Sequence, residues 1–213
     1  DNPDWRVAIS GIMDGVTIVS STAYTISSGQ IVFDPSNSTF LQSPGTHSIT
    51  ILATGYPNNT FSQSIGVGLP AKLVINTQPT APATNGAILA TQPKVNITDR
   101  YGNIVTTSSL SVTATAETTN GSWSLGGTTS VSAVSGLATF SGLSASSQSP
   151  ITGAIIVFSA SGLTSVTSST FNVPIPSPPS ITSSATATVD NQFTVTFTDN
   201  AYWRSMITSI TVG

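Results

Sequence analysis

The sequence predicts an all-β protein built from β-sandwiches, and three observations support this fold class. Short runs alternate between apolar and Ser or Thr residues, turn-forming residues bound these runs, and no window holds a helical period of useful length. Strands of this kind have one apolar and one polar face, so two sheets bury their apolar faces by stacking. We therefore expect sheets packed face to face.

The alternation predicts strands at 16–19, 48–52, 73–75, 110–114, 154–158 and 193–197. Two segments divide the chain. Segment 66–70 contains two glycines and precedes a new strand, and the Pro-rich segment 174–180 has the composition of a stiff spacer. We expect an incomplete N-terminal sandwich at 1–69, a complete sandwich at 70–173, and a linker with opening strands of a further module at 174–213.

Charge is scarce in this chain, and that excludes several classes of partner. The 213 residues include five Lys or Arg, eight Asp or Glu, one His and no Cys, and 6% are charged where about 25% is usual. A net charge of −3 does not supply the basic surface that nucleic acids or anionic membranes require. No stretch approaches the ~20 apolar residues of a membrane-spanning helix. We expect no nucleic-acid partner, no membrane insertion and no disulfide or zinc-thiolate site.

The ionisable residues do not form a recognisable catalytic motif. His47 is the single histidine, and no nucleophile motif surrounds it. Most acidic residues stand in turn-like contexts, such as Asp14-Gly15, Asp34-Pro35 and Asp190-Asn191, where Asp caps the local backbone. We expect a protein that is not an enzyme, with no catalytic residues, no metal and no cofactor.

An internal repeat is the most informative feature of the sequence. Residues 1–15 read DNPDWRVAISGIMDG and residues 199–213 read DNAYWRSMITSITVG, so that Asp, Asn, Trp, Arg, two Ile and Gly coincide without a gap. Trp5, Arg6, Trp203 and Arg204 are the anchors of this repeated motif. We expect the tryptophans to pack against a sheet rather than to bind sugars.

The strand-like material before the second motif has no counterpart before the first in this sequence. Residues 1–69 therefore predict a sandwich whose opening strands come from elsewhere, because an unpaired sheet edge accepts an added strand. Two arrangements remain open: a longer chain that repeats every ~198 residues, or separate chains that lend strands head to tail as a fibre. The inter-subunit strand candidates are Ile181, Val189, Phe193, Val195 and Phe197.

Residues 1–68 and 181–213 resemble the haemoglobin-interacting domains of Gram-positive surface receptors. The residues that carry the resemblance are Asp1-Asn2, Trp5-Arg6, Ile9, Ile12, Tyr24-Thr25-Ile26, Gly29-Gln30-Ile31, Gly45, His47 to Ile51 and Ala53 to Tyr56. The resemblance implies an all-β fold and a place among the repeats of large surface and S-layer-like proteins.

Residues 71–173 resemble a bacterial immunoglobulin-like domain. The carrying residues are Ala71 to Val74, Gln78-Pro79, Asp99 to Asn103, Gly136 to Phe140 and Phe171 to Val173. This resemblance implies tandem immunoglobulin-like β-sandwiches, an extracellular location and a structural role.

Two further kinds of residue are candidates for function. His47 could ligate haem, but it shares a strand face with apolar residues, which favours a hydrogen-bonded, half-buried histidine. Four Asn-X-Ser/Thr sequons are candidate glycosylation sites, and glycans would add solubility to a surface with little charge. The four are Asn37, Asn58, Asn96 and Asn120.

Together these features predict a structural subunit of an extracellular filament, fibre or S-layer-like surface assembly. Its partners would be further copies of itself, head to tail, together with glycans. The alternative is a cell-surface adhesin or receptor module that binds haemoglobin or a glycan. A third possibility is a non-catalytic region of a secreted polysaccharide-degrading enzyme.

Overall fold

A computed structural model describes residues 1–118, 121–183 and 191–211, and it confirms the all-β prediction. The chain forms two compact units. The first consists of residues 1–70 with 98–105, and the second consists of 71–97 with 106–213. All six predicted runs overlap observed strands, although the last of these strands begins at Val195, so Phe193 lies outside it.

The first unit has one short helix and six strands. They are α1 (Pro3–Ala8), β1 (Ile9–Asp14), β2 (Thr17–Val19), β3 (Tyr24–Ser27), β4 (Gln30–Phe33), β5 (Gly45–Ala53) and β6 (Asn59–Ile65), with 3₁₀ turns at Ser21–Ala23 and Thr39–Gln42. The strands β2, β1, β5 and β6 form an antiparallel sheet in that order, and β3 pairs with β4 as a hairpin. Gly15 has φ +57° in the β1–β2 turn, a left-handed conformation that suits glycine.

The core of the first unit lies on one face of its sheet. Ile12 of β1 stands opposite Ile51 of β5, and Asp14 stands opposite Ile49, so alternate residues of both strands share that face. The buried members are Ile12, Val19, Ala23, Phe40 and Ile49. Phe33 contacts the ring of Phe40 edge-on, with 5.4 Å between centroids.

Several hydrogen bonds connect residues 98–105 to the rest of the first unit. The Asn103 side chain donates to the carbonyl oxygen of Gln42 at 2.8 Å, and the Tyr101 hydroxyl donates to that of Pro35 at 3.0 Å. The backbone N–H of Gly68 donates to the Asp99 carboxylate at 3.1 Å. A side chain at position 68 would place its Cβ 3.2 Å from Asp99, so glycine permits this close approach.

The second unit contains fourteen of the assigned strands and one helix. They are β7 (Lys72–Thr77), β8 (Thr80–Pro82), β9 (Leu89–Thr91), β10 (Lys94–Thr98), β11 (Ser111–Thr118), β12 (Trp123–Gly126), β13 (Ser130–Ser132), β14 (Leu137–Thr139), β15 (Ser144–Ser147), β16 (Ile151–Ser159), β17 (Val166–Thr167), β18 (Phe171–Val173), β19 (Ile181–Ser183), β20 (Val195–Phe197) and α2 (Ala201–Ser205). Thr98 ends β10 and begins the segment that belongs to the first unit.

The second unit has a larger core than the first. Its sheets have the strand orders β14-β10-β7 and β13-β11-β16-β17, with β18 also paired to β16, and β12–β15, β8–β9 and β19–β20 form short pairs. One apolar cluster contains side chains from β7, β9, β10, β11, β12, β14, β15, β16 and β18. Phe140 and Phe158 pack within it at 5.3 Å between ring centroids.

Candidate functional site

The repeated motif begins the first unit as a short capped helix. The Asn2 side-chain oxygen accepts a hydrogen bond from the Trp5 backbone N–H at 3.1 Å, and Pro3 occupies the first turn. Asn is a preferred residue at a helix N-cap. Pro is tolerated in the first turn because the backbone N–H groups there have no acceptor within the helix. The alternation of apolar and polar residues does not predict this helix, although the Asn2-Pro3 pair is a signal for a helix start.

Arg6 connects this helix back to the start of the motif. Its guanidinium forms an ion pair with the Asp1 carboxylate, and the Ser28 hydroxyl donates to the same carboxylate at 2.7 Å. Ser28 lies in the turn between β3 and β4. Asp1 therefore links the motif to the β3–β4 hairpin as well as to Arg6.

The second copy of the motif forms the same arrangement. The Asn200 side chain accepts from the Trp203 backbone N–H at 2.9 Å, and Arg204 pairs with Asp199. The sequence spacing of cap, tryptophan and ion pair is identical in the two copies. The repeat found in the sequence is therefore also a repeat of local structure.

The two tryptophans have different apolar surroundings. Trp5 is half-buried and lines a groove of about 260 Å³ together with Ile9, Ile26 and Ile31. Trp203 is also half-buried, and its ring contacts that of Phe197 of β20 edge-on, with 5.2 Å between centroids.

Trp203 lines a wider and more apolar groove, of about 550 Å³. Ile181 stands opposite Phe197, and Ser183 stands opposite Val195, so these residues share one face of the β19–β20 hairpin. The groove is formed by this face and by the residues after α2, namely Met206, Ile207, Thr208, Ser209 and Ile210.

The predicted strand candidates have separate positions in the structure. Ile181, Val195 and Phe197 line the Trp203 groove. Phe193 is 64% exposed and lies outside β20, and Val189 lies outside the described residues.

His47 lines a further cavity, which lies in the first unit. Its Nδ1 is 2.9 Å from a carboxylate oxygen of Asp14, and its Nε2 is 2.9 Å from the backbone carbonyl oxygen of Ser43. The ring packs 5.6 Å from that of Phe40. Because both partners are acceptors, a protonated imidazole donates to both of them. The hydrogen bonds to Asp14 and to Ser43 raise the pKa of His47 above its ordinary value.

The histidine cavity has a volume of about 320 Å³ and a mixed polar and apolar lining. Four residues with hydroxyl groups line it, namely Thr17, Ser20, Ser38 and Thr39. His47 is bound through both ring nitrogens, so neither nitrogen is free to ligate a metal. Within the described ranges, His, Asp and Glu side chains form no group of three that could hold a metal ion.

We predict that the stability of the first unit depends on pH through His47. A folded-state pKa above the ordinary 6.5 means that the stabilisation is complete below about pH 6.5 and is lost as pH rises through the raised pKa. In denaturant unfolding of the full chain, the unfolding free energy of the first unit should be lower at pH 8.5 than at pH 5.5. The variant His47→Gln should show a flat profile, and a wild-type profile that is equally flat would contradict the prediction.

The four sequons differ in accessibility. Asn58 is exposed in the connection between β5 and β6. Asn37 is exposed, but its amide donates to the Asp34 carboxylate at 2.8 Å. Asn96 is half-buried within β10, and Asn120 lies outside the described residues. Asn58 is therefore the most accessible described acceptor.

No helix in the described part of the chain has the length and apolar character needed to cross a membrane. Among curated proteins, none matches the chain significantly.

Several solved structures are weakly similar to this chain. A glycosyl hydrolase family 2 member from Bacteroides cellulosilyticus has a TM-score of 0.41 and 12% identity, over 76% of this chain and 21% of that one. A β-glucuronidase from Parabacteroides merdae has a TM-score of 0.34 and 14% identity, over 63% and 16%. The chain spans about a fifth of the length of these enzymes. Similarities this loose carry no argument about the chain.

A family model gives the more specific result. Residues 1–66 match the family described as heme-binding protein Shr-like, Hb-interacting domain. The match spans the helix α1, all six strands of the first unit and His47, and it agrees with the resemblance carried by the DNPDWR motif. Residues 1–66 are therefore similar to haemoglobin-interacting domains.

Proposed function

We propose that this chain is part of a bacterial cell-surface protein and that its first unit is a non-catalytic module that captures haemoglobin. The observation that carries the proposal is the match of residues 1–66 to the Hb-interacting domain family. The low charge and the high Ser and Thr content fit an exported, β-rich surface protein. The second unit, with its larger core, would be a structural part of that protein.

Exposed apolar side chains on the first unit would provide the contact surface. Ile18 is 76% exposed on β2, and Val16 is 92% exposed in the turn just before that strand. Interfaces bury apolar and aromatic anchors of this kind at their centre. Binding of this type uses protein surface and does not require a haem ligand.

Binding of haemoglobin by the full chain is the direct test. The immobilised chain is exposed to haemoglobin and, in parallel, to myoglobin and serum albumin. We expect saturable binding of haemoglobin that weakens by about tenfold or more in Val16→Ser or Ile18→Ser. Val134→Ser, which changes a 77% exposed residue of the second unit, is the matched control. An absence of haemoglobin binding in the wild type would refute the proposal.

The surroundings of His47 do not fit a haem ligand, because both ring nitrogens are already hydrogen-bonded. We predict that hemin added to the full chain gives the same Soret spectrum with wild type and with His47→Ala. A shift of the Soret band that disappears in the variant would show that His47 leaves its partners to ligate iron.

A second candidate function is a linear assembly of copies, as a surface filament, fibre or S-layer-like array. The identical capped helix and ion pair at Trp5 and at Trp203 favour it, because a module that recurs along an assembly repeats its local structure. Negative-stain microscopy of the native material should show filaments with a regular axial repeat. Single separate particles at high concentration would contradict this candidate.

We further propose that Asn58 carries a glycan in the native protein. Its exposed position beside β6 would accept a sugar without disturbing the core. The intact mass of native material should exceed 21.7 kDa for residues 1–213, and Asn58→Gln should remove part of the excess. A native mass equal to that of the bare chain would refute glycosylation.

A further inference from the structure

The cavity beside His47 is lined by a serine whose hydroxyl group the fold does not use. Ser38 lines this cavity and is 2% exposed, and its Oγ has no hydrogen-bond partner among the described residues. A buried hydroxyl of this kind has lost its hydrogen bonds to water and gained none in return, so it destabilises the fold. A hydrogen bond to a bound ligand would offset that cost.

The place of Ser38 in the chain makes the unused hydroxyl unusual. Ser38 is the N-cap residue of the 3₁₀ turn Thr39–Gln42, and its side chain accepts no capping hydrogen bond. Serine at an N-cap usually accepts one from a backbone N–H group of the first turn. Ser20, at the N-cap of the 3₁₀ turn Ser21–Ala23, does accept from the backbone N–H of Thr22, at 3.3 Å. Capping therefore does not account for the Ser38 hydroxyl.

The charges around the cavity favour a neutral ligand. Asp14 and His47 are the ionisable side chains that line it, and they are hydrogen-bonded to each other. Among the described residues, no Lys or Arg lines the cavity, so an anion would meet the Asp14 carboxylate without a free cation to balance it. A cation would have to compete with His47 for Asp14.

The rest of the lining combines hydroxyl groups with apolar surface. Thr17 and Thr39 are exposed residues of the lining, and a hydroxyl group both donates and accepts hydrogen bonds. Ile18 and Val19 add apolar side chains, which can contact the C–H groups of a ligand. The volume of about 320 Å³ lies at the lower end of the range of about 300–1,000 Å³ for small-molecule sites. A small ligand with several hydroxyl groups matches this lining.

We propose that the cavity lined by His47 and Ser38 binds a neutral polyhydroxylated ligand, either a free monosaccharide or one sugar residue of a glycan, with a ligand hydroxyl hydrogen-bonded to the Ser38 hydroxyl. All residues of the site belong to the first unit. The inference does not rest on haemoglobin capture.

NMR titration of the full chain tests the site. His47 is the single histidine, so its ring protons give one isolated set of signals at the cavity. Glucose, galactose, mannose and N-acetylglucosamine are the sugar probes, with inorganic phosphate and methylammonium as charged probes at constant pH. At least one sugar should shift the His47 signals saturably, with a dissociation constant of about 1 mM or below. No response to any sugar, or a response to the charged probes alone, overturns the proposal.

Oligosaccharides of the responding sugar separate the two sources of the ligand. Tighter binding of the oligosaccharide than of the free sugar supports a glycan residue as the ligand. Equal or weaker binding of the oligosaccharide supports the free monosaccharide.

Substitution of Ser38 distinguishes a ligand-binding hydroxyl from a structural one. Ser38→Ala should weaken sugar binding by about tenfold, and without sugar it should unfold at the same denaturant concentration as wild type or higher. Ser62→Ala changes an exposed serine of β6 and is the matched control. Thr39→Val, at an exposed position of the same cavity, should also weaken binding, and it tests the site if Ser38→Ala does not fold. A Ser38→Ala variant that binds sugar as wild type does, or that is less stable than wild type without sugar, would show that the hydroxyl serves the fold instead of a ligand.

Discussion

Replacing Phe158 by alanine is expected to lower the unfolding free energy of the second unit by about 3–5 kcal/mol. The side chain is fully buried on β16, between β11 and β17, and its ring packs 5.3 Å from that of Phe140. Removing it eliminates the transfer free energy of the ring and leaves a cavity that the surrounding strands close only in part.

The measurement is chemical denaturation of the full chain, with hydrogen exchange of the β11 and β16 amides as a local readout. Phe158→Leu should cost less than the alanine variant, because most of the volume remains. Val134→Ala changes a side chain that is 77% exposed and should stay within about 0.5 kcal/mol of wild type. If Phe158→Ala and Val134→Ala had equal unfolding free energies, packing of Phe158 would not contribute to the stability of the core.

The strand β16 was predictable because its pattern is strong. Ala154, Ile156 and Phe158 are buried and alternate with more exposed neighbours over residues 153–159. The short strands β12 to β15 were not predictable in the same way. In β15, Ser144 to Ser147 hold one small apolar residue, Ala145, which is fully buried, and small side chains carry almost no hydrophobic signal.

The sequence predicted the tryptophans of the repeated motif, but it did not predict which residues contact His47. The repeat identified Trp5 and Trp203 because identical letters recur at one spacing. The half-buried position of His47 followed from its place among alternating apolar residues on β5. Its contact with Asp14 depends on the register of β1 against β5, and that register is set by the packing of the whole sheet rather than by local sequence.

Asp99 is a residue whose local context was informative and whose long-range role was not. Its position before Tyr101-Gly102 indicates a turn, and its carboxylate does accept from the backbone N–H groups of Tyr101 and Asn103. The bond from Gly68 spans 31 positions of the chain, and turn chemistry cannot reveal such a bond. The grouping of residues 98–105 with the first unit therefore depends on folded geometry.

Replacing Asp99 by alanine is expected to lower the unfolding free energy of the first unit by about 3 kcal/mol at pH 7. The residue is 2% exposed, and each carboxylate oxygen accepts two hydrogen bonds. The donors are the backbone N–H groups of Gly68, Tyr101 and Asn103 and the side-chain amide of Asn103. Alanine removes the acceptor for all four donors, and donors left buried without a partner cost more than the lost bonds themselves contribute.

The same carboxylate gives the expected pH dependence its sign. Burial alone would raise the pKa of Asp99, but the hydrogen bonds from Asn103, Gly68 and Tyr101 outweigh burial and lower the pKa below its usual 3.8. The stabilisation is therefore complete above about pH 4 and is lost as pH falls through the lowered pKa. The difference in unfolding free energy between wild type and Asp99→Ala should therefore shrink in that acidic range.

Unfolding curves at pH 7, 4 and 2.5 measure this difference, with hydrogen exchange at Gly68 and Asn103 as the local readout. Asp99→Asn keeps the shape but supplies one acceptor oxygen and an N–H₂ group, so it should be less stable than wild type at pH 7. Asp4→Asn alters an exposed carboxylate in the first turn of α1 and serves as the charge-matched control. If Asp99→Asn matched wild type at pH 7 and both lost stability in parallel on acidification, the four hydrogen bonds would not be what holds residues 98–105 in the first unit.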